Sequence, residues 1–232
     1  GVAGESLGDG LIVDFTRHLR QVVAIEGDTV RVHAGTAIAD VNAKLGEVGR
    51  RIAPDSSRTA VGTVGGMLAR NASGPRAIKH GRPLDHLVSL QAVLDNGELV
   101  ELGHETAPSA ASPGVHFADI VTALGVLFEQ NRELISNVPE RTRFDRLGYN
   151  IRGVQNDSLL DVANLLIGSE GTLALFTAAT LRTIPMPTGR AMVLASFARL
   201  DSALRSVPLA MATSPSACEL VDRRLLGLAR TD

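Results

Sequence analysis

Thr63-Val64-Gly65-Gly66, Asn71-Ala72-Ser73-Gly74 and, some way downstream, Gly168-Ser169-Glu170-Gly171-Thr172-Leu173 are the stretches on which the reading of this chain turns. Clustered glycine means backbone that must turn sharply or approach something closely. Small residues in such a run can present successive N–H groups as an anion-binding nest. A further cluster, Gly1-Val2-Ala3-Gly4-Glu5-Ser6, has the same character. Each cluster alone also reads as ordinary tight turns. Together they could line a long, flat, phosphate-bearing ligand without using charge.

The surrounding composition fits a globular protein. The chain has 232 residues, 44% hydrophobic and 21% charged, enough apolar mass for one domain and part of another. Lys and Arg number 23 against 25 Asp and Glu, for a net charge of -2, and no basic run exists to neutralise a row of phosphates, so nucleic acid is not an expected partner. One cysteine, Cys218, excludes an internal disulfide, a thiolate zinc site and a cysteine-held cluster within the chain, and fits a reducing compartment. No apolar stretch approaches the ~20 residues of a membrane span, and no secretory leader is visible, so a cytoplasmic location is expected, with peripheral attachment to the inner membrane left open. Aromatics are 3% with no Trp, which leaves little from which to build a stacking platform.

Outward from the glycine clusters, Leu11–Phe15 and Thr29–Ala34 read as strands, the second by alternation of Val30 and Val32 with Arg31 and His33. Ile38, Val41 and Leu45 predict a helix behind Thr36 as N-cap, stopping near Gly46 and Gly49. Residues 51–84 read as loop with one short helical turn. Ser89–Leu94 and Glu98–Leu102 flank Asp95-Asn96-Gly97, whose Asn-Gly step predicts a hairpin with positive φ angles. Phe117, Ile120, Val121, Leu124 and Phe128 mark a helix face. Leu159–Ile167 is an apolar segment, and Thr172–Phe176 and Ala179–Ile184 read as two strands. Pro185 and Pro187 predict a domain boundary. Beyond it come a strand at Met192–Phe197, a helix from about Leu200 to Met211, a strand at Ala217–Val221 and a helix from Asp222 to Ala229. A β-α-β-α unit of that size leaves sheet edges bare, so the expectation is that the sequence stops inside a second domain.

Other motifs lack their structural context. Gly4-Glu5-Ser6-Leu7-Gly8 matches a G-x-S-x-G nucleophile elbow, but a strand follows Ser6 where a helix is needed. Neither G-x-G-x-x-G nor a P-loop occurs. The six histidines include no i, i+4 pair around a glutamate, and no metal site is expected.

The ordered set of motifs resembles the FAD-linked oxidases of the PCMH (vanillyl-alcohol-oxidase) type. Gly1 to Asp14 is similar to that family's pyrophosphate loop and following strand. Pro54-Asp55-Ser56-Ser57, Thr63-Val64-Gly65-Gly66, Asn71-Ala72-Ser73-Gly74, His80-Gly81, Asp85, the Asp95-Asn96-Gly97 turn and the G-S-E-G-T-L segment follow in the family's order. Gly148-Tyr149-Asn150 and Ala217-Cys218-Glu219-Leu220-Val221-Asp222 resemble the D-2-hydroxyacid dehydrogenase branch, which includes D-lactate dehydrogenase, the glycolate oxidase flavoprotein and D-2-hydroxyglutarate dehydrogenase.

The resemblance implies an α+β fold: a PCMH-type FAD-binding domain over 1–187, with two α/β subdomains of which the first is incomplete, then the opening of a ferredoxin-like substrate cap over 188–232. It implies non-covalent FAD, with Val2, Ala3 and Gly4 beside the pyrophosphate and Pro54, Asp55 and Ser56 near the flavin or ribityl chain. Thr63, Gly65, Gly66, Asn71, Ser73 and Gly74 would wrap the isoalloxazine and diphosphate, with Gly81 and Asp85 in the same set, and Glu170 and Gly171 closing the adenine end. Ser73 and His80 depart from the family's usual glycine and tyrosine. The implied reaction is hydride transfer from a small D-2-hydroxyacid to flavin N5, its catalytic base and electron acceptor unnamed. An iron–sulfur cluster would lie only in a domain beyond this chain, and a homodimer is left open. A flavin-fold reductase of the UDP-N-acetylmuramate type and a fragment that binds no flavin stay as alternatives.

Overall fold

The computed structural model describes residues 10–53, 61–72, 74–103, 114–137, 148–156 and 159–229. Its centre is an antiparallel six-stranded sheet. Strands β1 (Val22–Glu26) and β2 (Thr29–His33) form one hairpin, and β4 (Leu87–Val93) and β5 (Leu99–Gly103) another. The long strand β8 (Leu175–Pro185) lies between β2 and β4, and the short β3 (Arg50–Ile52) pairs with its end.

The sheet has one apolar and one polar face, as alternation in a half-covered sheet requires. Val30 and Val32 of β2, Leu90 and Ala92 of β4, Val100 and Leu102 of β5, and Phe176, Ala179 and Leu181 of β8 are buried in one core. Over them pack α1 (Ile38–Gly46) through Ile38, Val41 and Leu45, α2 (Val64–Ala69) through Val64, Met67 and Leu68, α4 (Val115–Gln130) through Phe117, and α6 (Val162–Leu166) through Val162, Ala163 and Leu166. On the other face Arg31 makes a bidentate pair with Glu101 at 2.8 and 3.0 Å. The Ser89 hydroxyl donates to Glu101 at 2.7 Å, and Arg31 also reaches Thr180. The mixture of helices with an antiparallel sheet is the α+β class expected from the sequence.

Several local expectations change. Leu11–Phe15 forms no strand: Leu11 and Ile12 are exposed and have no neighbouring strand among the described residues. Besides the main sheet, the described strands form a two-stranded ladder of β6 (Gln155–Asn156) with β7 (Leu159–Leu160), which the sequence did not suggest. Thr36 does not cap α1; its hydroxyl donates to the Gln21 carbonyl, and Ala37 holds the N-cap position. The supposed loop 51–84 carries the end of β3, α2, α3 (Ala77–His80) and a 3₁₀ turn at Pro83–His86. The hairpin after Leu94 forms, but only Gly97 has positive φ, at 86°. Gly97 N–H bonds to Leu94 O and Leu94 N–H to Glu98 O, which makes a longer turn with glycine at its bulge.

The two strands expected over 172–184 are one. The β4–β8 register slips between Gln91 opposite Ala178 and Ala92 opposite Phe176. A bulge inserts one residue and shifts the alternation by a step, which in sequence looks like a break. Past Pro185, α7 (Leu200–Ala212) and α8 (Arg223–Leu228) form, while Met192–Phe197 and Ala217–Val221 are not strands. Met192, Val193 and Leu194 are about nine-tenths exposed, because no described strand offers them a ladder.

Candidate functional site

The first glycine cluster is built into the packing of α2. Thr63 is extended, and its Oγ1 accepts from Gly66 N–H at 3.2 Å as the N-cap. Val64 N–H donates to Thr36 O and Gly65 N–H to Ala34 O, so the start of α2 is zipped onto the end of β2. A Cβ on Gly65 would lie 2.8 Å from Ala34 Cβ and 3.0 Å from its carbonyl oxygen. Gly65 is therefore there for close approach of backbone. The amides of Val64, Gly65 and Gly66 are engaged within the chain, which corrects their reading as a nest aimed at an anion.

The other end of α2 is where two of the predicted segments meet. Gly168 N–H donates to Leu68 O at 3.1 Å and Glu170 N–H to Ala69 O at 2.7 Å. The G-S-E-G loop thus supplies partners to carbonyls that a helix C-terminus leaves open. Asn71, buried and left-handed at φ 44°, follows directly, and its Oδ1 accepts from Leu84 N–H at 3.2 Å. Glu170 is also left-handed, at φ 56°, a conformation that costs a non-glycine residue about 1 kcal/mol or more and is held only by firm surroundings.

Inside this junction lies a polar group the sequence reading passed over. Ser169 is 2% exposed, and its hydroxyl has no hydrogen-bond partner among the described residues. A buried hydroxyl left unpaired costs about 1–3 kcal/mol, and a ligand heteroatom would recover that. Next to it, Gly171 has φ 80° with open space where a Cβ would stand. The residues present at 168–171 therefore fit a polar, extended ligand such as FAD.

Gly81 and Asp85 have a job of their own. Asp85 Oδ2 accepts from Arg82 N–H at 2.7 Å, closing the 3₁₀ turn, and lies 2.5 Å from where a Gly81 Cβ would be. Gly74 gives its carbonyl to Ala77 N–H, starting α3. His80 stands beside Arg51, its Nε2 3.5 Å from the guanidinium. Burial, then the charges of Arg51, Lys79, His86 and Arg76, hold its pKa below the ordinary 6.5, so it is a neutral acceptor here at neutral pH. Val2, Ala3, Gly4, Pro54, Asp55, Ser56 and Ser73 lie outside the described residues.

A further segment joins the loop. Asn150 Nδ2 donates to Asn164 Oδ1, Asn164 Nδ2 to Arg152 O at 2.9 Å, and Asn164 N–H to the N-cap Asp161 at 2.8 Å. This pins residues 148–153 along α6 and places the Tyr149 hydroxyl 3.0 Å from Thr172 Oγ1. Asn164, polar within the apolar run Leu159–Ile167, was the signal that could have pointed to it.

Residues 1–103 match the FAD binding domain family. Over its whole length the chain is 35% identical to a D-2-hydroxyglutarate dehydrogenase of Pantoea ananatis (strain AJ13355), of which it spans 23%. It is 25% identical, over 94% of its length, to glycolate oxidase subunit GlcD of Bacillus subtilis (strain 168), of which it spans 37%. Among solved structures, an alkyldihydroxyacetonephosphate synthase aligns over 87% of this chain and 28% of its own, with a TM-score of 0.54 and 16% identity, a likeness of fold. The chain spans about a quarter of the length of the D-2-hydroxyglutarate dehydrogenases it matches. The resemblance to FAD-linked 2-hydroxyacid enzymes thus holds beyond the loops that suggested it, and FAD is the cofactor it implies. Among the described residues no helix is long and apolar enough to cross a membrane.

Proposed function

We propose that this chain is the flavin-holding part of an FAD-dependent dehydrogenase acting on a D-2-hydroxyacid. One observation carries the reading. The G-S-E-G loop is docked by two backbone hydrogen bonds on the end of α2 with the buried Ser169 hydroxyl unpaired among the described residues, in a chain similar throughout to D-2-hydroxyglutarate dehydrogenases.

FAD, when bound, supplies the acceptor for the hydride leaving the substrate α-carbon. The protein supplies position. In this reading Val2, Ala3 and Gly4 take the pyrophosphate and Pro54, Asp55 and Ser56 the flavin side. Ser169 gives its hydroxyl to a cofactor heteroatom, the left-handed Glu170 turns the loop, and the open Gly171 brings backbone close to the cofactor without a side chain intervening. FAD is held non-covalently. Residues from 188 onward open a second domain that covers the substrate, and the groups that bind the substrate carboxylate and remove its hydroxyl proton belong to it. D-2-Hydroxyglutarate is the first substrate to try, with D-lactate and glycolate next. The single, exposed Cys218 supports a reducing, cytoplasmic setting.

The test is anaerobic addition of the three acids in turn to the purified full-length protein that contains this chain. Bleaching of the flavin absorption by at least one is expected, and flavin should pass into the supernatant on denaturation. A bound flavin that none of the three reduces would overturn the substrate assignment; a preparation that takes up no flavin would overturn the flavoenzyme.

A further inference from the structure

We propose that Tyr149 is a stacking residue of this site, its ring forming one wall against a planar ring of FAD at the Gly168–Thr172 loop. The inference rests on the flavin reading above and extends it to a residue outside the glycine segments. Three observations meet here.

Tyr149 is held and yet open. Its backbone follows Gly148 at φ 77°, its carbonyl accepts from Ile151 N–H, and its neighbour Asn150 is locked to the buried Asn164. Its hydroxyl is tied to Thr172, and still the residue is 47% exposed. A freely rotating surface tyrosine would leave its ring direction undefined; this one is fixed at both ends with much of its surface in water.

The direction of its hydroxyl bond can be assigned. Thr172 Oγ1 donates its one hydrogen to Ser169 O at 2.6 Å, so the Tyr149 hydroxyl must donate to Thr172. The chain Tyr149 → Thr172 → Ser169 sets the ring against the loop whose serine hydroxyl is buried without a partner among the described residues. That hydroxyl is a second observation, independent of the ring, that calls for a ligand at the same loop.

Aromatic supply is short. The chain has one Tyr, six Phe and no Trp, and Phe117, Phe128 and Phe176 are buried in the core. FAD has two planar rings, and stacking of a nucleobase on an aromatic side chain is worth a factor of about ten in affinity, often more.

The experiment titrates the 232-residue chain and its variants with FAD, following co-elution on gel filtration, Tyr emission and flavin emission. With no Trp, intrinsic emission comes from Tyr149 alone among Tyr and Trp residues. Tyr149→Leu should weaken FAD binding about tenfold, and Tyr149→Phe, which keeps the ring, should stay within about threefold. If the isoalloxazine is the ring in contact, bound flavin emission rises in Tyr149→Leu. If the adenine is, the same variant loses affinity for ADP by a similar factor while flavin emission is unchanged. Either outcome supports the proposal. Equal FAD affinity and equal emission in wild type and Tyr149→Leu would overturn it while leaving the flavin reading intact. Where only the full-length protein binds FAD, the same variants are compared in it, and equal FAD affinity there overturns the proposal; absence of binding from both removes the flavin reading with it. Circular dichroism melts separate loss of folding from loss of contact, and Tyr149→Gln, which also removes the ring, carries the test with the same expected loss if the Leu variant does not fold.

Discussion

Thr29–His33 and Met192–Phe197 carry the same kind of message, a run of β-branched and apolar residues, and only the first becomes a strand. The first lies between β1 and β8, where each backbone group finds a ladder and Val30 and Val32 are fully buried. The second has no neighbouring strand among the described residues, and its apolar side chains are in water. Propensity proposes; a partner decides, since an extended chain without one gains neither hydrogen bonds nor burial. The helices around it behave differently. Both α7 and α8 form beyond Pro185, because a helix satisfies its backbone within itself.

Matched leucines break or confirm this contrast most strongly. Leu181 is fully buried in β8, and Leu181→Ala should cost about 2–5 kcal/mol in a denaturant melt. Leu194→Ala, at a residue 89% exposed, should stay within about 0.5 kcal/mol. Similar losses from the two would mean that Leu194 is covered in solution.

A smaller effect is expected at the point where the sheet meets the site. Gly65→Ala drives a methyl into Ala34, whose carbonyl already accepts from Gly65 N–H, and should cost about 1–3 kcal/mol. Gly171→Ala would not serve as its equal, since there the space is open and only the φ of 80° opposes the change. A Gly65→Ala variant with an unshifted melt would show that the β2–α2 junction gives way easily.

The smallest effect concerns charge. In the sheet, Arg31 and Glu101 are each about a third exposed; in the tail, Arg199 and Asp201 stand 3.7 Å apart and largely in solvent. Hydrogen bonding from Arg31 holds the Glu101 carboxyl below its ordinary 4.5. A depressed carboxylate contributes above its unfolded pKa and is lost as pH falls through the folded one, so the pair's contribution, roughly 1 kcal/mol, should fade below about pH 4.5. Glu101→Gln should lower stability at pH 7 and flatten the acid side of the pH–stability curve. Asp201→Asn should change neither.

The same distinction between self-contained and partner-dependent structure governs what could be read from the sequence. α1, α4, α7 and α8 and the hairpin at Gly97 were legible because their signals are local: spacing of apolar residues and an Asn-Gly step. The single strand over 175–185 was not, because its bulge at Thr177 depends on where Gln91 and Ala92 pair. Leu11–Phe15 misled because its apolar residues look like a strand wherever they are placed. At the site, the sequence pointed to Asn71, Glu170 and Gly171 through their pattern, and the structure brings the Asn71 and 168–171 segments together. It could not show that the amide of Gly65 is turned onto Ala34, nor that Ser169 is buried, since both follow from contacts with residues far along the chain.

β8 carries one more consequence. The strand that joins the two hairpins, and holds β3 as well, is the last of the sheet to be synthesised; Thr183 bonds to Asp28 across 155 residues. Two-stranded hairpins are marginal by themselves, and pairings so distant in sequence form slowly. Until β8 is in place, then, β1–β2 and β4–β5 are two unjoined hairpins with bare edges. A chain cut before Leu175 would keep both hairpins and lose the one strand that joins them.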